Sequence, residues 1–236
     1  MNKDIFGTAL IDYLENRYTE DMYTESTISE EDIFPLPYLF RSYKEMPKLE
    51  QKALQLAKGK VLDVGCGAGS HALYLQQKGL DVTGIDISKG AITVAQQRGV
   101  KKTIETDLLQ YKDATFDTIL LLMNGSGIFE ELKKISIYLQ HLRSLLNPGG
   151  QVLIDSSDII YMFDEDEDGG KWIPTDVDYY GEVAFTLTYK KETTPPFKWL
   201  YIDYNTLQNA AIANGFTSEL IAEGAHYDFL AKLTKL

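Results

Sequence analysis

From Lys60 onward the chain alternates short apolar runs with longer amphipathic stretches, which is how a parallel sheet covered by helices on both faces reads. Five strands are predicted, at Val61-Leu62-Asp63-Val64, Val82-Thr83-Gly84-Ile85, Thr103-Ile104, Thr118-Ile119-Leu120-Leu121-Leu122 and Val152-Leu153-Ile154. Between them, Ser70 to Lys78 reads as a helix closed by Gly79, and Ser88 caps a second helix that ends at Gly99. A third helix is predicted from near Phe129, because Leu132, Ile135, Leu139, Leu142 and Leu146 recur at alternating three- and four-residue steps. Pro148-Gly149-Gly150 then turns the chain into the fifth strand. The class this dictates is α/β, a doubly wound sheet.

After Asp155 the alternation breaks for far longer than an ordinary connection. Inside this insertion Val183, Phe185, Leu187 and Tyr189 alternate with mostly polar neighbours. Trp199-Leu200-Tyr201-Ile202 follows a turn containing Pro195-Pro196, so an antiparallel hairpin is expected. A helix from Thr206 to Ala213 and a strand pair, Phe216 to Ala222 and Tyr227 to Leu233, complete a seven-stranded sheet. Upstream, helical patches near Ile5 to Tyr18 and Lys48 to Lys58 flank Ile33-Phe34-Pro35-Leu36-Pro37-Tyr38, whose prolines forbid regular structure. The expected organisation is one domain: an N-terminal cap over residues 1–59, a core over 60–156, an insertion over 157–203, and a C-terminal helix and strand pair over 204–236.

Composition narrows the function. A chain of 236 residues with 44% apolar content suits one α/β core with embellishments. Lys and Arg total 23 against 35 Asp and Glu, a net charge of -12 that repels phosphate backbones, so nucleic acid is not the expected partner. Cys66 is the only cysteine, which excludes an internal disulfide and a cysteine-cluster metal site, and no metal is expected. The first residues lack a basic lead followed by an apolar core, and no apolar run reaches the ~18 residues that cross a bilayer. A cytoplasmic protein without membrane attachment is expected, as monomer or homodimer.

The chemistry gathers at the strand ends. The first strand runs into Asp63-Val64-Gly65-Cys66-Gly67-Ala68-Gly69 and a helix follows at once, so backbone can approach a ligand closely while the helix start offers free N–H groups. A nicotinamide fingerprint beginning at Gly65 would need glycine where Ser70 stands; the spacing is G-x-G-x-G instead. Asp86 ends the second strand, where a carboxylate can accept from both ribose hydroxyls, with Ile87 beside it. Asp107, followed by Leu108, stands after the third strand, where an acid can accept from an adenine amino group while apolar neighbours sandwich the ring. Met123-Asn124-Gly125-Ser126-Gly127 leaves the fourth strand at the switch point of the sheet. Taken singly, the glycines could serve only a tight turn, and Asp86 and Asp107 only helix caps or loop charges. Together they converge on one crevice.

Residues 58 to 158, and less specifically the rest, resemble the class I S-adenosylmethionine-dependent methyltransferases. The family's first motif matches Val61 to Gly69 position by position, its ribose acid Asp86, its adenine-side acid Asp107, and its fifth-strand motif Leu145 to Ile154. The resemblance implies a Rossmann-like strand order 3-2-1-4-5-7-6 with the last strand antiparallel, and S-adenosylmethionine as cofactor. It implies that Asp63 faces the ligand's ammonium, with Gly65, Cys66, Gly67, Gly69, Asp86, Ile87, Asp107, Leu108, Met123 and Asn124 completing the cofactor site. Arg41 in the cap could pair the methionine carboxylate, or simply a surface acid.

The acceptor is less legible. Asn124-Gly125-Ser126 lacks the Pro-Pro-aromatic signature of family members that act on planar amino groups, which leaves small molecules and some protein side chains. A small-molecule acceptor, methylated at O or N, is expected. Tyr161, Phe163, Trp172, Tyr179 and Tyr180 suit a lid, with Tyr161 and Trp172 as substrate contacts; a sheet extension or a dimer contact is the other reading. His226, in the turn Glu223 to Tyr227, is the first candidate base, followed by Asp158 or Tyr161; a histidine on a hairpin surface is the plain alternative. His71 and His141 are expected to be packing or surface residues, and Cys66 no nucleophile. Non-catalytic binding of S-adenosylmethionine or its demethylated product is the alternative function, and a nicotinamide oxidoreductase a third.

Overall fold

The computed structural model describes residues 3–175 and 177–236. Its centre is a seven-stranded sheet of β3 (Lys60–Val64), β4 (Asp81–Asp86), β5 (Thr103–Glu105), β6 (Phe116–Leu121), β7 (Leu146–Ser157), β11 (Phe216–Glu223) and β12 (Asp228–Lys235). The order is β11-β12-β7-β6-β3-β4-β5, with β12 antiparallel to both neighbours and the other pairs parallel. In core numbering this is 3-2-1-4-5-7-6, as the family resemblance implies.

Alternation along the strands sorts side chains between two apolar layers. Leu62, Val64, Ile119, Leu121, Val152 and Ile154 pack with α6 (Ile135–Leu145) and α7 (Tyr204–Ala213). Val61, Leu120 and Leu153 point the other way, toward α3 (Lys48–Leu56), α4 (Ser70–Gln77) and α5 (Lys89–Arg98). The same period of two sends Asp63 and Asp155 into that second layer.

Several expectations are adjusted. The third helix begins at Ile135, because the chain from Gly125 to Lys134 is spent in two 3-10 turns, Gly125–Phe129 and Leu132–Lys134. The fifth strand starts at Leu146 rather than beyond the Pro148-Gly149-Gly150 turn, with a register shift where β6 pairs with it. The prolines of the cap punctuate regular structure instead of forbidding it: β2 (Asp32–Phe34) stops just before Pro35, and Pro37 sits in the first turn of α2 (Leu36–Leu39), where a missing N–H costs nothing.

The predicted hairpin exists as β8 (Glu182–Tyr189) and β10 (Phe197–Leu200), with β9 (Glu192–Thr193) beside β8. It does not extend the main sheet. It joins β2 and β1 (Met22–Ser26) from the cap in a second sheet, ordered β10-β8-β1-β2. A third apolar cluster ties α1 (Ile5–Leu14), α2, Leu187 and Tyr189 to Ala68, Ala91 and Val94, so cap and insertion close together over the start of α5. Among the described residues, no helix is long and apolar enough to cross a membrane.

Candidate functional site

The glycine turn leaves β3 with Gly65, Gly67 and Gly69 all at positive φ. Gly69 is the least replaceable, since a Cβ on it would stand 2.7 Å from Val100 Cγ2. Cys66 points into the sheet: its amide donates to the Ile85 carbonyl (3.0 Å), and Gly84 on β4 makes room for its sulfur. Burial pushes the thiol far above the ordinary range, which suits a packing role.

Asp86, at the tip of β4, is buried and fixed by the turn it faces. Its Oδ2 accepts from the Gly67 amide (2.9 Å) and its Oδ1 from the Ser88 amide (2.8 Å). Burial raises its pKa, against those two amides. Next to it Ile87 is 75% exposed, an apolar side chain held open beside a buried acid. Asp107 caps the 3-10 turn Leu108–Gln110 by accepting from the Leu109 amide (2.8 Å), and Leu108 is buried.

Asp63 lies two residues before the turn and is 2% exposed. Among the described residues its Oδ2 is a buried polar atom without a partner, and burial raises its pKa to about 6. An orphaned carboxylate oxygen at the base of a glycine turn fits a cationic ligand group. Asp155, in the equivalent layer on β7, accepts from the Met123 (3.0 Å) and Gly125 (2.9 Å) amides, with its pKa raised by burial to about 7. Those bonds hold Met123 and Asn124 in two consecutive left-handed conformations, φ 70° and 54°. Asn124 Oδ1 in turn accepts from Ser157 Oγ (2.9 Å).

Beneath the acids lies an ionic cluster that the sequence did not announce. Glu50 on α3 pairs with the Arg41 guanidinium and with His71 Nε2 (2.6 Å). All three are buried, so the expected packing role of His71 becomes a specific one. The Arg41 Nη1 donates to the Tyr38 carbonyl (2.5 Å) and the guanidinium lies 3.9 Å over the Tyr38 ring, so that among the described residues only Nε is without a partner. Its charge is answered inside the protein, by a buried acid rather than a surface one. His71 is raised by the Glu50 carboxylate against the effect of its burial, and Glu50 is lowered by His71 and Arg41 against its own. His141 is half-buried, and among the described residues its Nε2 has no partner.

The acceptor-side candidates are more dispersed. Tyr161 is 49% exposed and stacks on Tyr227 at 4.8 Å, while Trp172 is 70% exposed on the small turn bridged by Glu165 and Lys171. His226 sits on the exposed β11–β12 turn, where its amide donates to Asp228 Oδ1 (3.0 Å). That turn opens beside the end of β7, since the Asp158 amide donates to the Tyr227 carbonyl (2.9 Å). Asp158 Oδ1 accepts from the Tyr180 hydroxyl (2.8 Å). Sequence reasoning passed over Asp155, Glu50 and Asp4. Asp155 had a readable signal, an acid following the buried apolar run Val152-Leu153-Ile154 just as Asp63 follows Val61-Leu62 in β3. Asp4 caps α1 and accepts from Ser88 Oγ (2.9 Å) and the Gly90 amide (2.8 Å), fastening the cap beside Asp86.

Comparison with known proteins agrees with this geometry. Residues 62–154 match the methyltransferase domain family. The chain is 30% identical over 113 residues to a ubiquinone biosynthesis O-methyltransferase of Xylella fastidiosa, covering 44% of each. It is 35% identical over 109 residues to phosphoethanolamine N-methyltransferase 3 of Arabidopsis thaliana, covering 40% of this chain and 20% of that one. These alignments span less than half the length of the curated relatives. A crystal structure of a SAM-dependent methyltransferase from Bacteroides fragilis, in complex with S-adenosyl-L-homocysteine, is 45% identical with a TM-score of 0.91, covering 99% of this chain and 96% of that one. With the sheet order, the glycine turn and its ring of buried acids in place, the chain belongs to the S-adenosylmethionine-dependent methyltransferases.

Proposed function

We propose that this chain transfers the methyl group of S-adenosylmethionine to a small-molecule acceptor, at oxygen or nitrogen. The observation that carries the reading is Asp86, locked by the Gly67 and Ser88 amides beside an exposed Ile87, with the unpartnered Asp63 Oδ2 on the neighbouring strand. In this reading Asp86 accepts from the ribose hydroxyls, and Asp107, with Leu108 and Ile87, frames the adenine. Asp63 answers the ammonium, and the turn Gly65-Cys66-Gly67-Ala68-Gly69 and the loop at Met123 and Asn124 bracket the methionine portion. Arg41 holds Glu50 and the cap, with Nε alone left for a ligand.

S-adenosylmethionine supplies a methyl group on a sulfonium, displaced in line by the acceptor. The protein's task is orientation and exclusion of water. The second sheet is suited to that: Trp199 fills the space where a side chain on Gly127 would lie, closing the insertion against the switch-point loop. Tyr161 and Trp172 are the acceptor contacts on its open side. Proton removal falls to a group beside the end of β7, where Asp158 and His226 both stand. The resemblance to O- and N-methyltransferases supports small acceptors, as does the net charge of -12, which disfavours nucleic acid.

Calorimetric titration with S-adenosylmethionine and S-adenosylhomocysteine, followed by transfer of a tritiated methyl group to a panel of small acceptors, tests the proposal. Saturable binding with labelled product is expected. Binding without product across the panel would favour a non-catalytic role.

A further inference from the structure

Resting on that reading, we infer that the methyl acceptor is an amine on a flat apolar body, and that Asp158, positioned by Tyr180, removes its proton. Asp158 directly follows β7. Its neighbour Ser157 bonds Asn124 (2.9 Å), so Asp158 stands one residue from the loop assigned to the methionine portion. Its Oδ1 is satisfied twice, by the Tyr180 hydroxyl (2.8 Å) and the Ile160 amide (3.0 Å). Among the described residues Oδ2 has no protein donor. The carboxylate is thereby fixed in orientation with one oxygen open.

The surroundings select the ligand's charge. Tyr179 lies 4.4 Å from Tyr180, Phe163 stands edge-on to Tyr180 at 6.3 Å, and Tyr161 stacks on Tyr227 at 4.8 Å. Asp203, a second acid, accepts from the Tyr179 hydroxyl (2.7 Å). Nearby cations are spoken for: Lys171 pairs with Glu165, and Lys198 and Lys133 with Glu131. Ring faces and unpaired carboxylate oxygen together attract an ammonium and repel a carboxylate or phosphate. The Tyr180 phenol, raised by burial and by its hydrogen bonds with Tyr179 and Asp158, is held as a donor to Asp158.

The step balances without a further reagent. An ammonium proton passes to Asp158 Oδ2. The freed nitrogen lone pair forms the new N–C bond as the C–S bond breaks, and that bond's electrons remain on sulfur as a neutral thioether. The N-methylammonium product keeps or sheds its proton to solvent, and Asp158 releases its own.

The test uses the full chain with tritiated S-adenosylmethionine. Benzylamine, phenethylamine and tryptamine are offered beside benzyl alcohol, phenethyl alcohol, tryptophol, benzoate, phenylacetate and indole-3-acetate. Label is expected on the amine nitrogen, located by mass spectrometry. Asp158→Asn should lower kcat for the amine by about 100-fold while calorimetry finds the cofactor Kd within about twofold. Tyr180→Phe should lower kcat by about tenfold with KM held, because it frees the base to turn without removing it. Label on the alcohols or carboxylates, cofactor binding with no labelled amine, or an active Asp158→Asn beside an inactive His226→Ala would each overturn the inference. Failure to bind S-adenosylmethionine at all would instead overturn the function proposed above.

Discussion

Asp86 accepts from two backbone amides belonging to different segments, the glycine turn and the start of α5, so one carboxylate holds both edges of the proposed cofactor site. Asparagine at this position is nearly isosteric, but one of the two amides would face an amino group instead of an acceptor. Losing one charged hydrogen bond is worth about 1.5–3 kcal/mol. Asp86→Asn is therefore expected to weaken S-adenosylhomocysteine binding by roughly 10- to 100-fold in calorimetry, with the circular dichroism spectrum unchanged. Asp63, Asp86 and Asp107 stand out in the sequence because an acid within or just past an apolar run is an anomaly that local sequence displays. Glu50 and Arg41 do not. They meet across nine positions and through a tertiary contact, and each alone reads as one more charged residue in an amphipathic cap.

At the level of elements, the strands and helices of the core followed from their periodicity, and so did their caps: Ser88 accepts from the Ala91 amide at the start of α5, and Gly99 closes it at φ 105°. The cap did not, because β1 and β2 are short, half-exposed strands, and the strand that ties their hairpin to the insertion, β8 beside β1, lies far along the chain. Pairing across such separation leaves no local pattern beyond weak alternation. What docks α1 is closer to readable: Gly7 and Gly90 meet backbone to backbone, and a Cβ on Gly90 would stand 2.5 Å from Gly7 Cα. Because that obstacle is main chain, it cannot rotate aside. Gly90→Ala should push α1 from α5 and strain the Asp4 bonds to Ser88 and Gly90, at a cost of about 1–3 kcal/mol. The expected result is faster proteolytic cleavage within the first residues and a lower Tm, with cofactor protecting against both. Equal resistance to protease in variant and parent would show that α1 does not need this contact.

Over the whole molecule, the layer between the sheet and the α3–α4 face concentrates Asp63, Asp155, Glu50 and His71, and their protonation couples stability to ligand binding. Asp63 at about 6 and Asp155 at about 7 both exceed the ordinary value of 3.8 because they are buried. An acid raised in the folded state holds its proton more tightly there, so its contribution is full below the unfolded pKa and vanishes as pH climbs through 6 and 7. His71, also raised, contributes below its unfolded 6.5 and loses that contribution as pH rises through its folded value. Glu50 is lowered, so its contribution persists above 4.5 and fails only toward strong acid. The three raised groups act together, and the unliganded protein should lose thermal stability between about pH 4 and pH 8, with Asp63 alone accounting for on the order of 3 kcal/mol, lost between its unfolded 3.8 and its folded value of about 6. A ligand ammonium beside Asp63 reverses the sign locally, since it favours the ionised acid and is gripped only by it. The upward shift in Tm on adding S-adenosylmethionine should therefore be larger at pH 7.5 than at pH 5.5. Asp63→Asn should flatten both dependences, raising the stability of the free protein at pH 8 while weakening its response to ligand. A ligand-induced shift independent of pH in the parent protein would mean that the ammonium is held elsewhere.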